Sequence, residues 1–350
     1  MRKTFILIPA ILLAATLITK AQDTTKVVAN PSLVISGSVD AYYKYDFANK
    51  KNNIPTSFAT DQNSVSIGMI DLGLKKKVGR AAFVGELSFG PRGQEQSIPN
   101  SGVNGDSFHI QNLYMSYDVT DKFVLTGGYM STFIGYEVIS PVGNFNYSTS
   151  YLFTNGPFQN AGFKATYSFS DKVSLMAGVF NDQWNAYKSA NGVNNFGAQL
   201  MIVPVKGWTA YLNVLTGSTA GTEFDLTTAY QITNAFKLGL NAADYKANNG
   251  VTGGFTGVAL YPQYAISKDV TLGLRGEYFK NKAGTYSAIV GPDHGEHVTA
   301  VTFTANIKAG PLSLIPEVRL DNGSAKAFTD HSGDPTKSAS QFVLAAVYGF

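Results

Sequence analysis

The 350-residue sequence contains no cysteine, so it can form neither disulfide bonds nor thiolate metal sites. Beyond its N-terminus it has no apolar run of the roughly 20 residues that a transmembrane helix requires. It also lacks a large excess of either charge, with 27 basic residues against 24 acidic ones. These absences exclude a disulfide-stabilised domain and a bundle of membrane helices, and nothing in the charge indicates a nucleic-acid-binding surface.

The N-terminus has the pattern of an export signal. Two basic residues precede an apolar run over residues 5–18, and Thr19-Lys20-Ala21 is a small-x-small cleavage pattern. The sequence therefore predicts a cleaved signal peptide over residues 1–21 and a short periplasmic segment over residues 22–32. The signal holds three of the 27 basic residues, so the mature chain is expected to be close to neutral.

Apolar residues recur at every second position along the remaining chain, which is the period of a β-strand. The pattern is clear over residues 161–169, 270–279 and 312–321. It is clearest in the last ten residues, which end on the aromatic Phe350. This ending resembles that of outer-membrane barrels, whose last strand closes the barrel and typically ends in Phe. The apolar parity switches near Gly68, which predicts a β-bulge.

The connections between these strands alternate in length. The short connections fall at residues 77–80, 120–122, 170–172, 204–207, 233–235, 267–269 and 309–311. The long polar ones fall at residues 48–62, 90–107, 131–160, 183–193, 218–221, 245–253, 280–296 and 322–340. Short periplasmic turns and long extracellular loops are typical of outer-membrane barrels. We therefore predict an all-β fold, a transmembrane antiparallel β-barrel of about 16 strands over residues 33–350. A soluble β-sandwich would not explain the signal, the loop asymmetry and the terminal Phe together.

The wall side chains of so wide a barrel cannot fill its interior, so we expect a water-filled passage. Charged residues fall on the parity opposite to the apolar one, and a Lys or Arg facing lipid at midplane would cost about 2–4 kcal/mol. The predicted pore-lining residues are Asp40, Lys44, Glu86, Lys164, Glu223, Asp225, Lys237, Arg275, Glu277, Lys308, Glu317, Arg319 and Asp321. Both signs are present, which predicts weak ion selectivity. Alternatively, Arg275 with Glu277, or Glu317 with Arg319, form ion pairs that brace the wall.

Five segments carry a resemblance to a known family. They are GSVDAYYKYDF at 37–47, GYMSTFIGYE at 128–137, NYSTSYLFTNGPFQNAGFKATY at 146–167, LGLRGEYF at 272–279 and LIPEVRLD at 314–321. With them the chain resembles the OmpL-like β-barrel porins of Bacteroidetes over nearly all of its mature length. The resemblance implies a channel in the outer membrane of a Gram-negative bacterium, surrounded by outer-membrane lipid. It also implies insertion by the barrel-assembly machinery through the strand ending at Phe350, and it is compatible with a homotrimer.

The longest loop, residues 131–160, is too apolar and aromatic for a solvated surface loop. In sixteen-strand general porins the loop after the fifth strand folds inward and narrows the pore. By that resemblance the candidate constriction residues are Glu137, Asn144, Asn146, Tyr147 and Tyr151. An outward fold that caps the barrel is the alternative.

Little in the sequence indicates catalysis or a cofactor. All four histidines, including His109 and His331, lie in or beside long loops. His294 and His297 could bind a divalent cation with nearby acids, but a solvated polar loop is the simpler interpretation. No Ser–His pair for a barrel hydrolase is evident. We therefore expect a passive diffusion channel for small hydrophilic solutes or ions, neither an enzyme nor a metal or nucleic-acid binder. A plugged structural or adhesive barrel is the main alternative.

Overall fold

The computed structural model describes residues 31–56, 58–94 and 109–350. The predicted signal peptide lies outside this part, as does most of the predicted periplasmic segment, so both stay predictions. The described chain forms one closed barrel of sixteen antiparallel strands. The predicted fold class and strand number are therefore confirmed.

Each barrel strand pairs with its neighbours in the chain, and the last strand pairs with the first. The barrel strands are β1 (Val34–Asp46), β2 (Ser64–Val78), β3 (Ala81–Phe89), β4 (Ile110–Asp118), β5 (Phe123–Ser131), β6 (Gln159–Ser168), β7 (Val173–Asn181), β8 (Val193–Ile202), β9 (Trp208–Gly217), β10 (Gly221–Gln231), β11 (Phe236–Lys246), β12 (Gly254–Ala265), β13 (Val270–Asn281), β14 (His297–Ala309), β15 (Leu312–Gly323) and β18 (Ser338–Gly349). Between the last two, β16 (Phe328–Thr329) and β17 (Pro335–Thr336) form a small separate hairpin.

In the part of the chain that the structure describes, helix is confined to short pieces in the long loops. They are α1 (Pro91–Gln94), a 3₁₀ turn (Pro141–Gly143) and α2 (Tyr151–Asn155). No helix in the described ranges has the length and apolar character to cross a membrane. Short turns and long loops alternate along the chain as predicted, except that the long loop predicted at residues 218–221 is a turn of only three residues between β9 and β10. The alternation puts the long loops at one end of the barrel.

The barrel closes along the seam between β1 and β18. Ser38 lies opposite Gly349, and the pairing continues to Asp46 opposite Gln341. Beyond the strand, Gly37 and Phe350 exchange two backbone hydrogen bonds of 2.9 and 3.0 Å. Closure leaves no unpaired strand edge in the wall, which a membrane requires because lipid cannot hydrogen-bond the backbone.

The predicted bulge is confirmed, because the β1–β2 register shifts opposite the stretch between Ile67 and Ile70. The Asp40 carboxylate lies directly over Gly68, where a Cβ would come within 1.9 Å of it. That carboxylate accepts the backbone N–H of Met69 at 2.8 Å, so the bulged backbone keeps a hydrogen-bond partner. Two further shifts, between Glu86 and Leu87 and between Phe180 and Asn181, are not marked by a parity switch.

The two faces of the wall differ in chemistry. Large apolar side chains are exposed on the outer face, and most inward side chains of the loop-side half are buried. Aromatic residues near strand ends, such as Phe47, Phe169 and Trp208, are exposed where lipid headgroups would meet the protein. Tyr129 differs, because the β7–β8 loop covers it and its hydroxyl donates to the Asn185 carbonyl at 3.1 Å.

Candidate functional site

The connection between β5 and β6, residues 132–158, lies inside the barrel. All five residues of its helix α2 are buried. Its polar groups bond to inward-facing side chains of β1, β2, β10, β13, β14 and β15. We call residues 132–158 the inner loop. Because its partners lie on widely separated strands, the inner loop extends across the barrel interior.

The first anchor of the inner loop is Asp225 on β10. Its carboxylate accepts the backbone N–H of Gly135 at 3.1 Å. Asn213 and Asn241 on the two flanking strands donate to the same carboxylate at 2.7 and 2.5 Å. This buried carboxylate is therefore satisfied by neutral donors only, and it fixes the start of the inner loop against the wall.

A buried ion pair joins the inner loop to β13. Arg275 donates to Glu137 at 2.8 Å, and the two side chains are 0% and 5% exposed. The same guanidinium donates to the Ser148 carbonyl at 2.6 Å and to Thr302 on β14 at 3.2 Å. Glu137 in turn accepts the backbone N–H and the hydroxyl of Ser150, each at 2.7 Å. Both charges are paired and hydrogen-bonded, as buried charges must be.

Glu277 on β13 holds the start of helix α2. Its two carboxylate oxygens accept the backbone N–H groups of Tyr151 and Leu152 at 3.0 and 2.9 Å. Ser150 caps the same helix by accepting the N–H of Phe153 at 3.0 Å. The first N–H groups of a helix have no partner within it, so acceptors from the wall allow this short helix to be buried.

Glu317 on β15 likewise binds the backbone of the inner loop, just before helix α2. Its carboxylate accepts the backbone N–H groups of Tyr147 and Ser148 at 3.0 and 3.2 Å. Thr304 donates its hydroxyl to Glu317 at 2.9 Å and accepts the side-chain amide of Asn146 at 2.7 Å. A continuous polar network therefore joins β14, β15 and the inner loop.

Two phenols complete the attachment. Tyr147 donates its hydroxyl to Asp40 on β1 at 2.5 Å, and Tyr151 donates to Asp321 on β15 at 2.7 Å. Arg319 pairs with Asp321 through two bonds of 2.7 and 2.9 Å. The rings themselves are almost fully buried, so they also fill space between loop and wall.

Four of the five candidate constriction residues, Glu137, Asn146, Tyr147 and Tyr151, are thus buried between the inner loop and the wall. Asn144 is half-buried, and its side chain bonds both backbone groups of Val138, at 2.9 and 2.6 Å, within the loop itself. Their role in narrowing a passage stays a prediction.

The thirteen predicted pore-lining residues all lie on the inward parity given by the strand registers. Nine are buried beneath the loops: Asp40, Lys44, Glu223, Asp225, Arg275, Glu277, Glu317, Arg319 and Asp321. The other four, Glu86, Lys164, Lys237 and Lys308, keep part of their surface accessible. Contact between any of the thirteen residues and a passing solute stays a prediction.

The two ion pairs predicted to brace the wall are wrong in their partners. Arg275 pairs with Glu137 rather than Glu277, and Arg319 pairs with Asp321 rather than Glu317. The physical reason is that Glu277 and Glu317 accept backbone N–H groups of the inner loop.

Sequence reasoning missed the contribution of the two neighbouring loops. Arg92 of α1 donates to the Ile139 carbonyl at 2.7 Å, and its guanidinium lies 4.1 Å from the centre of the Phe58 ring. Neither Arg92 nor Phe58 lies in a periodic segment, so no pattern in the sequence indicated that these residues contact the inner loop or each other. Within residues 31–56, 58–94 and 109–350, no group of three or more His, Asp or Glu side chains is arranged to hold a metal ion.

Comparisons with known proteins agree with this architecture. The family described as "Putative beta-barrel porin-2, OmpL-like" matches residues 32–350. No curated protein sequence is significantly similar to the chain. Among solved structures, an anion-selective porin from Comamonas acidovorans has a TM-score of 0.61 at 12% identity, covering 91% of this chain and 99% of that one. Pseudomonas putida OprB has a TM-score of 0.61 at 12% identity, covering 91% and 94%. The trimer form of Vibrio cholerae OmpT has a TM-score of 0.56 at 14% identity, covering 91% and 99%. At such low identity these structures show a shared fold.

Proposed function

Since the chain belongs to the putative beta-barrel porin-2, OmpL-like family, and is thus a channel protein of the Gram-negative outer membrane, we propose how it passes its solutes. Small hydrophilic solutes or ions diffuse passively between the wall and the inner loop. The observation that carries this proposal is the attachment of the inner loop inside a closed barrel by buried carboxylates on β10, β13 and β15. A loop held at so many points is a fixed part of the passage rather than a mobile cap.

We propose that the inner loop sets the narrowest section. Glu137, Asn146, Tyr147 and Tyr151 act there indirectly, because each is buried in contacts that position the loop backbone. Asn144 acts by fixing the turn that follows Val138. The proposal needs no energy coupling, no cofactor and no catalytic step.

The test is single-channel recording of the refolded full-length protein in a planar bilayer. We expect stable, ohmic current steps. Replacing residues 136–151 by a short Gly-Ser linker should raise the conductance and the solute size limit, because the strand ladder closes the barrel without the inner loop. A matched control replaces the exposed hairpin tip, residues 331–334, by Gly-Ser residues and should leave both unchanged.

Two outcomes would overturn parts of the proposal. Silence from protein shown to be folded and inserted would favour a plugged barrel over a channel. Unchanged conductance and size limit in the inner-loop deletion, with normal insertion, would remove the inner loop from the role of constriction.

Assembly is the remaining part of the proposal. We propose that Phe350 presents the last strand to the barrel-assembly machinery, because its backbone closes the seam with Gly37 while its ring remains half-exposed. We also propose a homotrimer, by analogy with the trimer form of OmpT. Chemical crosslinking of the protein in native membranes would test the trimer, and a monomer-only pattern would contradict it.

A further inference from the structure

The charges inside the barrel are divided unequally between anchoring and free positions. Six buried carboxylates of the wall accept a hydrogen bond from the inner loop, whereas Glu223, also buried, is not among these acceptors. The acceptors are Asp40, Asp225, Glu277, Glu317 and Asp321 on the wall, and Asp71 on β2 accepts the hydroxyl of Ser140 in the same way. These negative charges are buried at 1–6% exposure, so they do not face open solvent.

The arginines inside the barrel are also engaged. Arg275 and Arg319 donate to the inner-loop carbonyls of Ser148 and Thr149 at 2.6 and 2.8 Å. Each also pairs with a carboxylate. Arginine suits this task, because its planar guanidinium donates in several directions at once.

Four inward lysines are different. Lys75 on β2, Lys164 on β6, Lys237 on β11 and Lys308 on β14 all face the interior by strand register. Lys75 and Lys308 are exposed, and Lys164 and Lys237 are partly exposed. Within the described ranges none of the four forms an ion pair. Three of them lie within three residues of the short-turn end of their strands.

Few negative charges oppose them at this end of the barrel. Lys77 and Asp118 neutralise each other in an ion pair. Glu86 is the one partly exposed inward carboxylate of the described strands that lacks a basic partner, and it accepts the amides of Gln111 and Asn112. Four unpaired lysines against Glu86 leave an excess of three positive charges among the accessible inward side chains. The nearby short turns add five basic residues against three acidic ones. Those turn residues are Arg80, Lys122, Lys172, Lys206 and Lys268 against Asp121, Asp171 and Asp269.

From this arrangement we infer that the passage prefers small anions, a conclusion that rests on the proposed channel function. Charges of one sign on low-dielectric walls focus their field into the cleft and raise the local concentration of the opposite ion. A potential of about one kT would raise the local anion concentration about threefold and lower that of cations equally. The four lysines bind no particular anion tightly. They select by charge, so inorganic anions and small organic acids share the preference.

Anion preference differs from the weak selectivity that the amino-acid sequence predicted, and neither has been tested. That expectation treated all inward charges as equal. The structure separates the acids that hold the loop from the lysines that face the passage.

The test is the reversal potential of single channels in a tenfold KCl gradient, because potassium and chloride have nearly equal mobility in water. For the wild type we expect chloride to be about seven- to ninefold more permeable than potassium at low salt for a potential of one kT, since the two local concentrations change about threefold in opposite directions. The preference should decline as ionic strength rises, since the Debye length shortens from about 10 Å at 0.1 M to about 3 Å at 1 M. Replacing Lys75, Lys164, Lys237 and Lys308 together by Gln should abolish the preference.

The matched control removes the same number of charges from other surfaces. Lys76 lies beside Lys75 with the opposite parity, Lys246 lies outward on β11, and Lys326 and Lys337 lie in the β15–β18 connection. The control with these four replaced by Gln should retain the wild-type selectivity. If the quadruple interior variant fails to fold, Lys237→Gln and Lys308→Gln, each near a strand end, should individually reduce the preference.

Different outcomes would contradict the anion preference and the channel function. Open channels with no preference, or with a cation preference, would overturn the inference and leave the channel intact. An anion preference unchanged in folded interior-lysine variants would overturn it as well. The absence of channels from folded, inserted protein would instead overturn the proposed function.

Discussion

Breaking the buried pair of Arg275 and Glu137 should release the inner loop without opening the barrel. Arg275→Met removes a fully buried guanidinium and leaves Glu137, 5% exposed, without its counter-ion. Removing one partner of a buried pair costs about 3–5 kcal/mol, because the remaining charge stays out of water. The strand ladder does not include this pair, so the loss falls on attachment of the loop. At 1.4 kcal/mol per tenfold, the detached population should rise about 100-fold or more.

Limited proteolysis and single-channel recording of the refolded protein measure how often the inner loop detaches from the wall. In Arg275→Met we expect new cleavage within residues 136–151 and noisier currents with excursions to higher conductance. Heat-dependent mobility on gels should remain that of a folded barrel. Lys268→Met is the matched control, because its pair with Asp269 is on the surface, with side chains 83% and 54% exposed. An exposed pair of this kind contributes only about 0–1 kcal/mol.

The double variant Arg275→Met with Glu137→Gln decides whether charge is the cause. It leaves no unpaired charge, and Gln retains an oxygen for the backbone N–H of Ser150. Uncharged replacements of buried pairs are often close to neutral, so the double variant should be more protease-resistant than Arg275→Met alone. The reasoning is refuted if Arg275→Met matches the wild type in both assays. It is also refuted if the two substitutions simply add.

Three further predictions test the wall, the seam and an outer loop. Gly162→Ala should lower the barrel's thermal stability, by about 1–3 kcal/mol in unfolding free energy, because the new Cβ would approach the Val179 carbonyl oxygen to 2.2 Å. Gly85→Ala meets no atom within 4 Å, and equal melting of the two variants would contradict this account. Deleting Phe350 should reduce the amount of barrel recovered from outer membranes while refolding in detergent continues, and normal recovery would contradict the proposed assembly role. Burial acts to raise the pKa of Asp182, but hydrogen bonds from residues 190 and 191 outweigh it and hold the pKa below its ordinary value. This contribution is complete above the unfolded pKa of about 3.9 and is lost as pH falls through the lower folded pKa, so Asp182→Asn should loosen the β7–β8 loop at neutral pH and weaken its response to acid. Proteolysis of that loop at several pH values would measure both effects, and identical digestion of variant and wild type would contradict them.

The barrel itself could be predicted from the sequence because its signals are local. A strand with lipid on one side and water or protein on the other alternates at every second residue, as Val270–Asn281 does. Even the bulge at Gly68 could be predicted locally, because the apolar residues change parity there. The register shifts at Glu86 and Phe180 left no such mark, and they were not predicted.

The partners inside the barrel could not be predicted, because they are distant in the chain. Arg275 and Glu277 are two residues apart on one strand, so proximity alone suggested a pair. The actual partner, Glu137, lies 138 residues earlier in a loop without regular period. Only the folded arrangement of that loop decides which carboxylate receives an arginine and which receives a backbone N–H.

A nearly neutral chain can thus enclose a charged passage, because burying an irregular loop uses acidic and basic side chains unequally. Loop N–H groups need acceptors, and a carboxylate such as Glu277 can accept two of them at once. Loop carbonyls need donors, and the planar guanidinium of Arg275 reaches a carbonyl and a carboxylate together. Lysine accepts nothing, and its ammonium is strongly hydrated, so it is the charge least suited to this anchoring. Lys75, Lys164, Lys237 and Lys308 are therefore left accessible to water, and the sign that we infer for the passage follows from how the loop is held rather than from the net charge of the protein.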